Sequence, residues 1–169
     1  MKKLLAILLM TTIAGAIFSC GTKQEPKTIY IVRHAEKQLE KEDPPLSVAG
    51  TVRSKKLAQI LENRDIEHIF ITNTLRTRLT ATPLAEKTGI AMGYYSAQDQ
   101  DALVKELREI KGNVLVVGHS NSIHHLANYF IGQEPKIPPI EEIDYENIFI
   151  VELKEDGKSE LIKRKYRDY

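Results

Sequence analysis

The amino-acid sequence predicts a single α/β domain, a three-layer α/β/α sandwich with a mostly parallel central sheet. Three observations support this prediction. Short apolar runs alternate with longer segments in which apolar residues recur at helical spacing. The run at 114–117 is apolar throughout, which is typical of a central parallel strand covered on both faces. Polar residues directly follow three of these runs, and ligands of such sheets bind beyond the carboxyl ends of the strands.

The strands are predicted from β-branched and aromatic runs bounded by charged residues, Pro or Gly. They fall at residues 28–32, 68–71, 114–117, 148–151 and 161–165. The last run is polar and follows an Asp156-Gly157 turn, which favours an edge strand. Residues 94–98 are predicted to form an extended connection.

Four helices are predicted between these strands. Ser47 is a suitable N-cap for a helix that ends near Asn63. A second helix spans 75–87, with a kink at Pro83 and with Gly89 as its terminating residue. The remaining two helices, each with apolar residues on one face, cover residues 101–110 and 121–131.

Composition and charge exclude several classes of protein. Lys and Arg total 24 against 23 for Asp and Glu, so the formal net charge of +1 gives no electrostatic footprint for nucleic acid. A single Cys excludes an intrachain disulfide framework and a Cys-rich zinc module. A hydrophobic fraction of 42% excludes a disordered chain. We therefore expect a domain stabilised by its own apolar core, with no nucleic-acid partner.

The N-terminal residues have the pattern of an export signal. Two lysines precede an apolar stretch over 4–18 that is shorter than the ~20 residues needed to span a bilayer. The segment Ile-Phe-Ser-Cys-Gly at 17–21 resembles a bacterial lipobox, in which the Cys becomes the lipidated first residue of the mature chain. We expect a lipoprotein signal peptide at 1–19, lipidated Cys20 with a tether at 20–27, and a domain at 28–169. This predicts a lipid-anchored, extracytoplasmic protein of the bacterial cell envelope, held to the membrane through its N-terminal lipid.

Two Arg and two His are predicted to lie on one edge of the sheet. Arg33 and His34 follow the first strand, Arg76 lies shortly after the second, and His119 follows the third. Because the carboxyl ends of parallel strands share an edge, these side chains are expected to meet. Guanidiniums donate paired hydrogen bonds to non-bridging oxygens, and a neutral imidazole is a nucleophile toward phosphorus. The pattern therefore indicates a site for a phosphoryl group.

Four segments in chain order resemble the motifs of the histidine phosphatase superfamily, also called phosphoglycerate mutase-like. They are IVRHAE at 31–36, DPPLSVAG at 43–50, LRTRLTA at 75–81 and VVGHSN at 116–121. The resemblance covers residues 28 to about 152. It implies a phosphoglycerate mutase-like α/β/α fold and a phosphomonoesterase that acts through a phosphohistidine intermediate.

The resemblance also implies a role for each of the four side chains. His34 is the nucleophile that becomes phosphorylated, Arg33 and Arg76 bind the phosphoryl oxygens, and His119 donates to the phosphoryl group. The two cations are expected to keep His34 neutral near pH 7 and to stabilise the transition state. We therefore expect neither a metal ion nor a cofactor.

The identity of a general acid stays open at this stage. Six carboxylates qualify by residue type: Glu36, Asp43, Asp99, Asp101, Glu141 and Glu142. Asp101 is equally suited to cap a helix. Five other polar residues are predicted to be solvated rather than functional: Arg53, His68, Arg78, His124 and His125.

Other functions also remain open. The same side chains suit a non-catalytic phospholigand-binding lipoprotein or a phosphomutase, although export disfavours the mutase. Gly118-His119-Ser120 resembles the start of a serine hydrolase elbow, but no His follows His125, so the acid–His order of α/β-hydrolases fails. The expected partner is a small-molecule phosphomonoester or a protein phosphohistidine.

Overall fold

The computed structural model describes residues 24–39, 42–132 and 136–169, so the predicted signal peptide and Cys20 lie outside the described residues. The elements in these ranges are β1 (Lys27–Arg33), α1 (Val48–Leu61), β2 (Ile66–Ile71), α2 (Leu75–Thr88), β3 (Met92–Tyr94), α3 (Gln100–Glu109), β4 (Asn113–Gly118), α4 (Ile123–Ile131), β5 (Asn147–Leu153), β6 (Ser159–Lys165) and a 3₁₀ helix (Tyr166–Asp168). None of the helices in these ranges is long and apolar enough to cross a membrane.

The strands form one mixed sheet in the order β3-β2-β4-β1-β5-β6. The first four strands in this order run parallel, whereas β5 and β6 are each antiparallel to their neighbours. Arg33 pairs with Gly118 and Ile71 pairs with Val117, so β1, β2 and β4 end at the same edge. The predicted fold class is confirmed, and the edge predicted to carry the site is formed by these three strands.

Helices cover both faces of the sheet. Successive strand residues point to opposite faces, so Val32 packs in the core under α1 and α2 whereas Ile31 packs in the core under α3 and α4. Residues 114–117 have no exposed surface, which confirms the prediction of a central strand. Because both faces of the central strands are buried, their ends at the shared edge are held in place, and these ends carry the residues of the site.

Capping residues end the helices largely as predicted. Ser47 caps α1 by accepting from the Gly50 N–H at 3.1 Å. Gly89 ends α2 in the left-handed conformation, with φ of 75°, and α2 continues through Pro83. Asp99, rather than Asp101, caps α3 by accepting from the Ala102 N–H.

Three features differ from the sequence interpretation. The sequence predicts an extended connection at 94–98 and no strand before it. In the structure, β3 lies at 92–94, where it pairs with β2 and widens the sheet. β1 begins at Lys27, which is buried and donates from Nζ to the Leu107 carbonyl at 3.0 Å. β2 begins at Ile66, two residues before the predicted start, so His68 lies inside the strand, and its Nε2 donates to the Lys111 carbonyl at 2.9 Å.

Candidate active site

A cleft of about 780 Å³ lies at the shared end of β1, β2 and β4. Its walls include His34, Arg76, His119 and Glu142. Arg33 directly precedes His34, and its side chain is buried. The structure therefore brings together the four side chains that the sequence predicted to meet.

Local hydrogen bonds define the protonation of the His34 ring. Nδ1 lies 2.8 Å from the Ala35 carbonyl oxygen. Because a carbonyl only accepts, Nδ1 carries the proton and Nε2 carries the lone pair. The Ala35 N–H in turn donates to Thr80 Oγ1 at 2.9 Å, and the His34 N–H donates to the Gly118 carbonyl at 2.9 Å. These hydrogen bonds hold the backbone at 34–35 in place and leave the His34 ring neutral, with the nucleophilic lone pair on Nε2.

The pKa of His34 is lowered from 6.5 to about 3. Burial is the largest cause, because it removes water from the charged ring. The charges of Arg33 and Arg76 act in the same direction, whereas the bond to the Ala35 carbonyl opposes them. Residue types alone point only to the two cations as the cause, since burial is not visible from the sequence.

His119 is held between a hydroxyl and a guanidinium. Its Nε2 lies 2.8 Å from Thr72 Oγ1, and its Nδ1 lies 3.5 Å from an Arg76 nitrogen. Because a guanidinium only donates, Nδ1 accepts and Nε2–H donates to Thr72. The ring lies edge-on to His34, with 5.3 Å between centroids. Burial, followed by the charges of Arg76 and Arg33, lowers the pKa of His119 to about 4.

The guanidinium of Arg33 is anchored by the loop before β5. Its NH1 donates to the carbonyls of Glu141, Glu142 and Asp144, at 3.1, 2.8 and 3.3 Å. Its NH2 donates to Glu142 Oε2 at 2.7 Å, and the group lies 4.0 Å from the centre of the Tyr145 ring. The Nε–H is buried and has no hydrogen-bond partner within the described chain.

Arg76 lines the cleft and is held by Asp43, which lies outside the cleft lining. Its NH1 lies 3.3 Å from Asp43 Oδ1, and the same carboxylate accepts from the Leu75 N–H at the start of α2. The Nε–H of Arg76 is also buried without a partner among the described residues. Buried donors without partners are rare. Two of them, on guanidiniums whose charges act on His34, indicate a site suited to an oxyanion.

The structure separates the six candidate carboxylates. Glu142 lines the cleft, and its Oε1 accepts from the Ser120 hydroxyl while Oε2 accepts from Arg33. The other five do not line it. Glu36 is paired with Arg53, Asp43 with Arg76, Asp99 caps α3, Asp101 accepts from Tyr129, and the Glu141 side chain is exposed. Glu142 is therefore the one candidate of the six placed to act on a ligand in the cleft.

Two residues predicted to be solvated are not. Arg53 is half-buried, forms ion pairs with Glu36 at 2.7 Å and Glu146 at 2.5 Å, and lies 4.9 Å from the centre of the Tyr166 ring. His124 is buried and donates from Nδ1 to the Ser120 carbonyl at 3.1 Å. Both predictions of a solvated side chain were wrong because the partners of Arg53 lie on other elements and the partner of His124 is a backbone carbonyl, neither of which the sequence displays. Arg78 and His125 are exposed, as predicted.

Three threonines at the cleft, of which Thr72 lines its wall, carry no distinguishing pattern in the sequence. Thr72, Thr77 and Thr80 are buried. The Thr72 hydroxyl links His119 to Thr77, whose hydroxyl donates to the Thr72 carbonyl at 2.7 Å. Thr80 joins the Ala35 N–H to the Arg76 carbonyl, at 2.9 and 2.8 Å. These hydroxyls connect the loop of His34, the ring of His119 and the start of α2.

Ser120 does not have the surroundings of a serine nucleophile. Its hydroxyl donates to a carboxylate, whereas His124 contacts its carbonyl rather than its hydroxyl. A serine nucleophile requires a base in contact with the hydroxyl proton, commonly an imidazole. Within the described ranges, no cluster of three or more His, Cys, Asp or Glu side chains is arranged to hold a metal ion.

The fold and these side chains define an α/β protein with a cleft suited to an oxyanion. The model of the histidine phosphatase superfamily, branch 1, matches residues 29–99 of the chain. No curated protein matches the sequence.

Several solved structures share the fold. The protein histidine phosphatase SixA, complexed with tungstate, has a TM-score of 0.68 at 19% identity, covering 83% of this chain and 98% of that one. A putative alpha-ribazole-5'-P phosphatase from Escherichia coli has a TM-score of 0.66 at 13% identity, covering 82% and 96%. Phosphoglycerate mutase from Plasmodium falciparum has a TM-score of 0.58 at 16% identity, covering 82% and 89%. At these identities, the similarity shows a common fold.

Proposed function

We propose that the protein is a phosphomonoesterase that forms a phosphohistidine at His34 and hydrolyses it without a metal ion. One observation carries the proposal: His34, a neutral imidazole with its lone pair on Nε2, lies within the electrostatic influence of Arg33 and Arg76, whose buried Nε–H groups have no partner among the described residues. The match to the superfamily model over 29–99 and the similarity to proteins named as phosphatases support it.

Each predicted side chain has a definite part in this mechanism. Nε2 of His34 bonds to phosphorus as the bond from phosphorus to the ester oxygen breaks, and that oxygen leaves with the bonding electron pair and takes a proton from water. Arg33 and Arg76 stabilise the charge on the non-bridging oxygens, which is the main requirement in phosphoryl transfer. Water then attacks phosphorus, and the Nε2 bond electrons return to the ring.

His119 needs a proton before it can donate to the phosphoryl group. With Nε2–H bound to Thr72, Nδ1 is an acceptor in the neutral ring. A phosphate dianion beside the ring favours the protonated form and so raises the pKa from its low value in the free protein. We propose that substrate binding brings this proton to His119.

The test is turnover and labelling of the domain spanning residues 21–169. His34→Gln should lose hydrolysis of p-nitrophenyl phosphate down to background and lose acid-labile phosphate labelling, because no other group replaces Nε2. His125→Gln is the matched control, since that imidazole is exposed on α4, and it should retain both. Equal activity of the two variants would reject the mechanism. Phosphate binding without turnover in the unsubstituted protein would instead indicate a non-catalytic phospholigand-binding protein.

We also propose that the mature chain is anchored in the bacterial envelope by lipid on Cys20, facing away from the cytoplasm. The basic, apolar and lipobox-like segments at 1–21 support this. Cys20→Ser should abolish labelling by radioactive palmitate and release the protein from membranes. Retained labelling would contradict it. The natural substrate is then a small phosphomonoester or a protein phosphohistidine outside the cytoplasm, which a substrate panel distinguishes.

A further inference from the structure

Glu142 occupies a distinctive position in the cleft. Among the described residues that line the cleft, it is the one carboxylate. Both of its oxygens have donors, Ser120 and Arg33, and its backbone carbonyl accepts from Arg33 at 2.8 Å. Its side chain is nevertheless 74% exposed, so water has access to it. A carboxylate fixed beside the phosphoryl site and open to water is suited to proton transfer.

We propose that Glu142 is the general base that activates the water which hydrolyses the phosphohistidine. This inference rests on the proposed function. A water oxygen forms the new bond to phosphorus while one of its protons passes to a Glu142 oxygen. The bond between phosphorus and His34 Nε2 breaks, and its electron pair returns to the ring. The products are phosphate, neutral His34 and protonated Glu142, which loses its proton to solvent.

The charges around Glu142 keep it in the form that a base requires. The Ser120 hydrogen bond and the nearby charge of Arg33 lower the pKa of Glu142 below its usual 4.5. The titratable groups that face it are Arg33, His34 and His119. Both imidazoles are neutral in the free protein because their pKa values lie at about 3 and 4. Glu142 is therefore ionised at neutral pH.

The other possible base in the cleft is less suitable. The free electron pair of His119 is on Nδ1, which accepts from Arg76. In the proposed mechanism, this ring takes up a proton to donate to the phosphoryl group. Glu142 is left as the acceptor for the proton of the attacking water.

Pre-steady-state hydrolysis of p-nitrophenyl phosphate tests the inference, because its leaving group needs little help from an acid. In Glu142→Gln, the first turnover should release one p-nitrophenolate per site in a burst. The steady rate should then fall by about 10²- to 10⁴-fold, with phosphorylated His34 accumulating. Glu86→Gln, an exposed position on α2, is the control and should match the unsubstituted protein.

A second variant keeps the carboxylate and alters only its surroundings. Ser120→Ala removes the hydrogen bond that favours the ionised form, so the pKa of Glu142 should rise. The acidic limb of the kcat–pH profile should move to higher pH in Ser120→Ala and should be absent in Glu142→Gln. A role limited to positioning Arg33 predicts neither change.

The outcomes separate the two proposals. Equal loss of burst and steady rate in Glu142→Gln, or no loss in either, would overturn the role of Glu142 while leaving the phosphohistidine in place. Absence of any phosphoenzyme in the unsubstituted protein would overturn the proposed function itself, and the inference with it.

Discussion

The two sides of the cleft are held in different ways. On the threonine side, formed by Thr72, Thr77 and Thr80, buried hydroxyls fix His119, the His34 loop and the start of α2. On the loop side, at 141–145, backbone carbonyls fix Arg33, and the Glu142 side chain, which also contacts Arg33, is mostly exposed. The first side depends on particular side chains, whereas any residue can supply the carbonyls of the second. We therefore expect substitutions on the loop side, other than at Glu142, to be tolerated better than substitutions on the threonine side.

After His34 and Glu142, the largest effect on activity is expected at Arg76, whose guanidinium projects from the threonine side. Arg76→Ala removes charge-assisted hydrogen bonds worth roughly 1.5–3 kcal/mol each, so kcat/KM should fall by at least about 10- to 150-fold. Steady-state kinetics with p-nitrophenyl phosphate measures this. Arg78→Ala, two residues along α2 and exposed, should stay within about twofold. Equal losses in the two variants would show that the wrong arginine has been assigned.

As pH falls, the first loss in the free energy of unfolding should come from His34 and His119, which the threonine side holds in place. In the unfolded chain His34 and His119 protonate near pH 6.5, whereas in the folded protein their pKa values are about 3 and 4. Below pH 6.5 the unfolded state binds more protons, so the free energy of unfolding should fall as pH falls, by about 1.4 kcal/mol per pH unit for each histidine. Glu142, on the loop side, has a lowered pKa and adds its loss only as pH falls below about 4.5.

Urea unfolding at pH 7, 6 and 5 measures this slope. His34→Gln should reduce the slope by the contribution of one proton, because Gln does not titrate. The same slope in both proteins would contradict a buried neutral His34.

A smaller effect on stability is expected at Thr80. Thr80→Val keeps the shape but leaves the buried Ala35 N–H without its acceptor, which should reduce the free energy of unfolding by about 1–3 kcal/mol. Thr80→Ser should retain most of it. On the loop side, Ile143→Ser changes an exposed side chain and should stay within about 0.5 kcal/mol. Urea denaturation compares all three, and equal losses at positions 80 and 143 would remove the distinction between the two sides.

Local patterns were sufficient to predict most of the fold. The apolar runs placed β1, β2, β4 and β5, and the alternation with helices placed their shared edge. β3 was missed as a strand because three residues, with Gly93 at the centre, carry too little periodicity.

Site residues that lie in short sequence motifs could be predicted from the sequence. Site residues that are recognised only by their contacts in the folded protein could not. Arg33, His34, Arg76 and His119 follow strands or lie in motifs that a sequence displays directly. Glu142 could not be chosen among six carboxylates, because what distinguishes it is its contact with Ser120 and Arg33 in space. The threonines have no distinguishing pattern, since this residue type occurs both on surfaces and in cores.

The stack of Arg53 on Tyr166 connects distant parts of the polypeptide. Tyr166 belongs to the C-terminal 3₁₀ helix, and Arg53 binds Glu36, which lies two residues after His34. A deletion of the final four residues would remove no wall of the cleft, yet it would withdraw the ring that supports this arginine. Deletion of residues 166–169 is therefore expected to reduce activity although none of these residues lines the cleft.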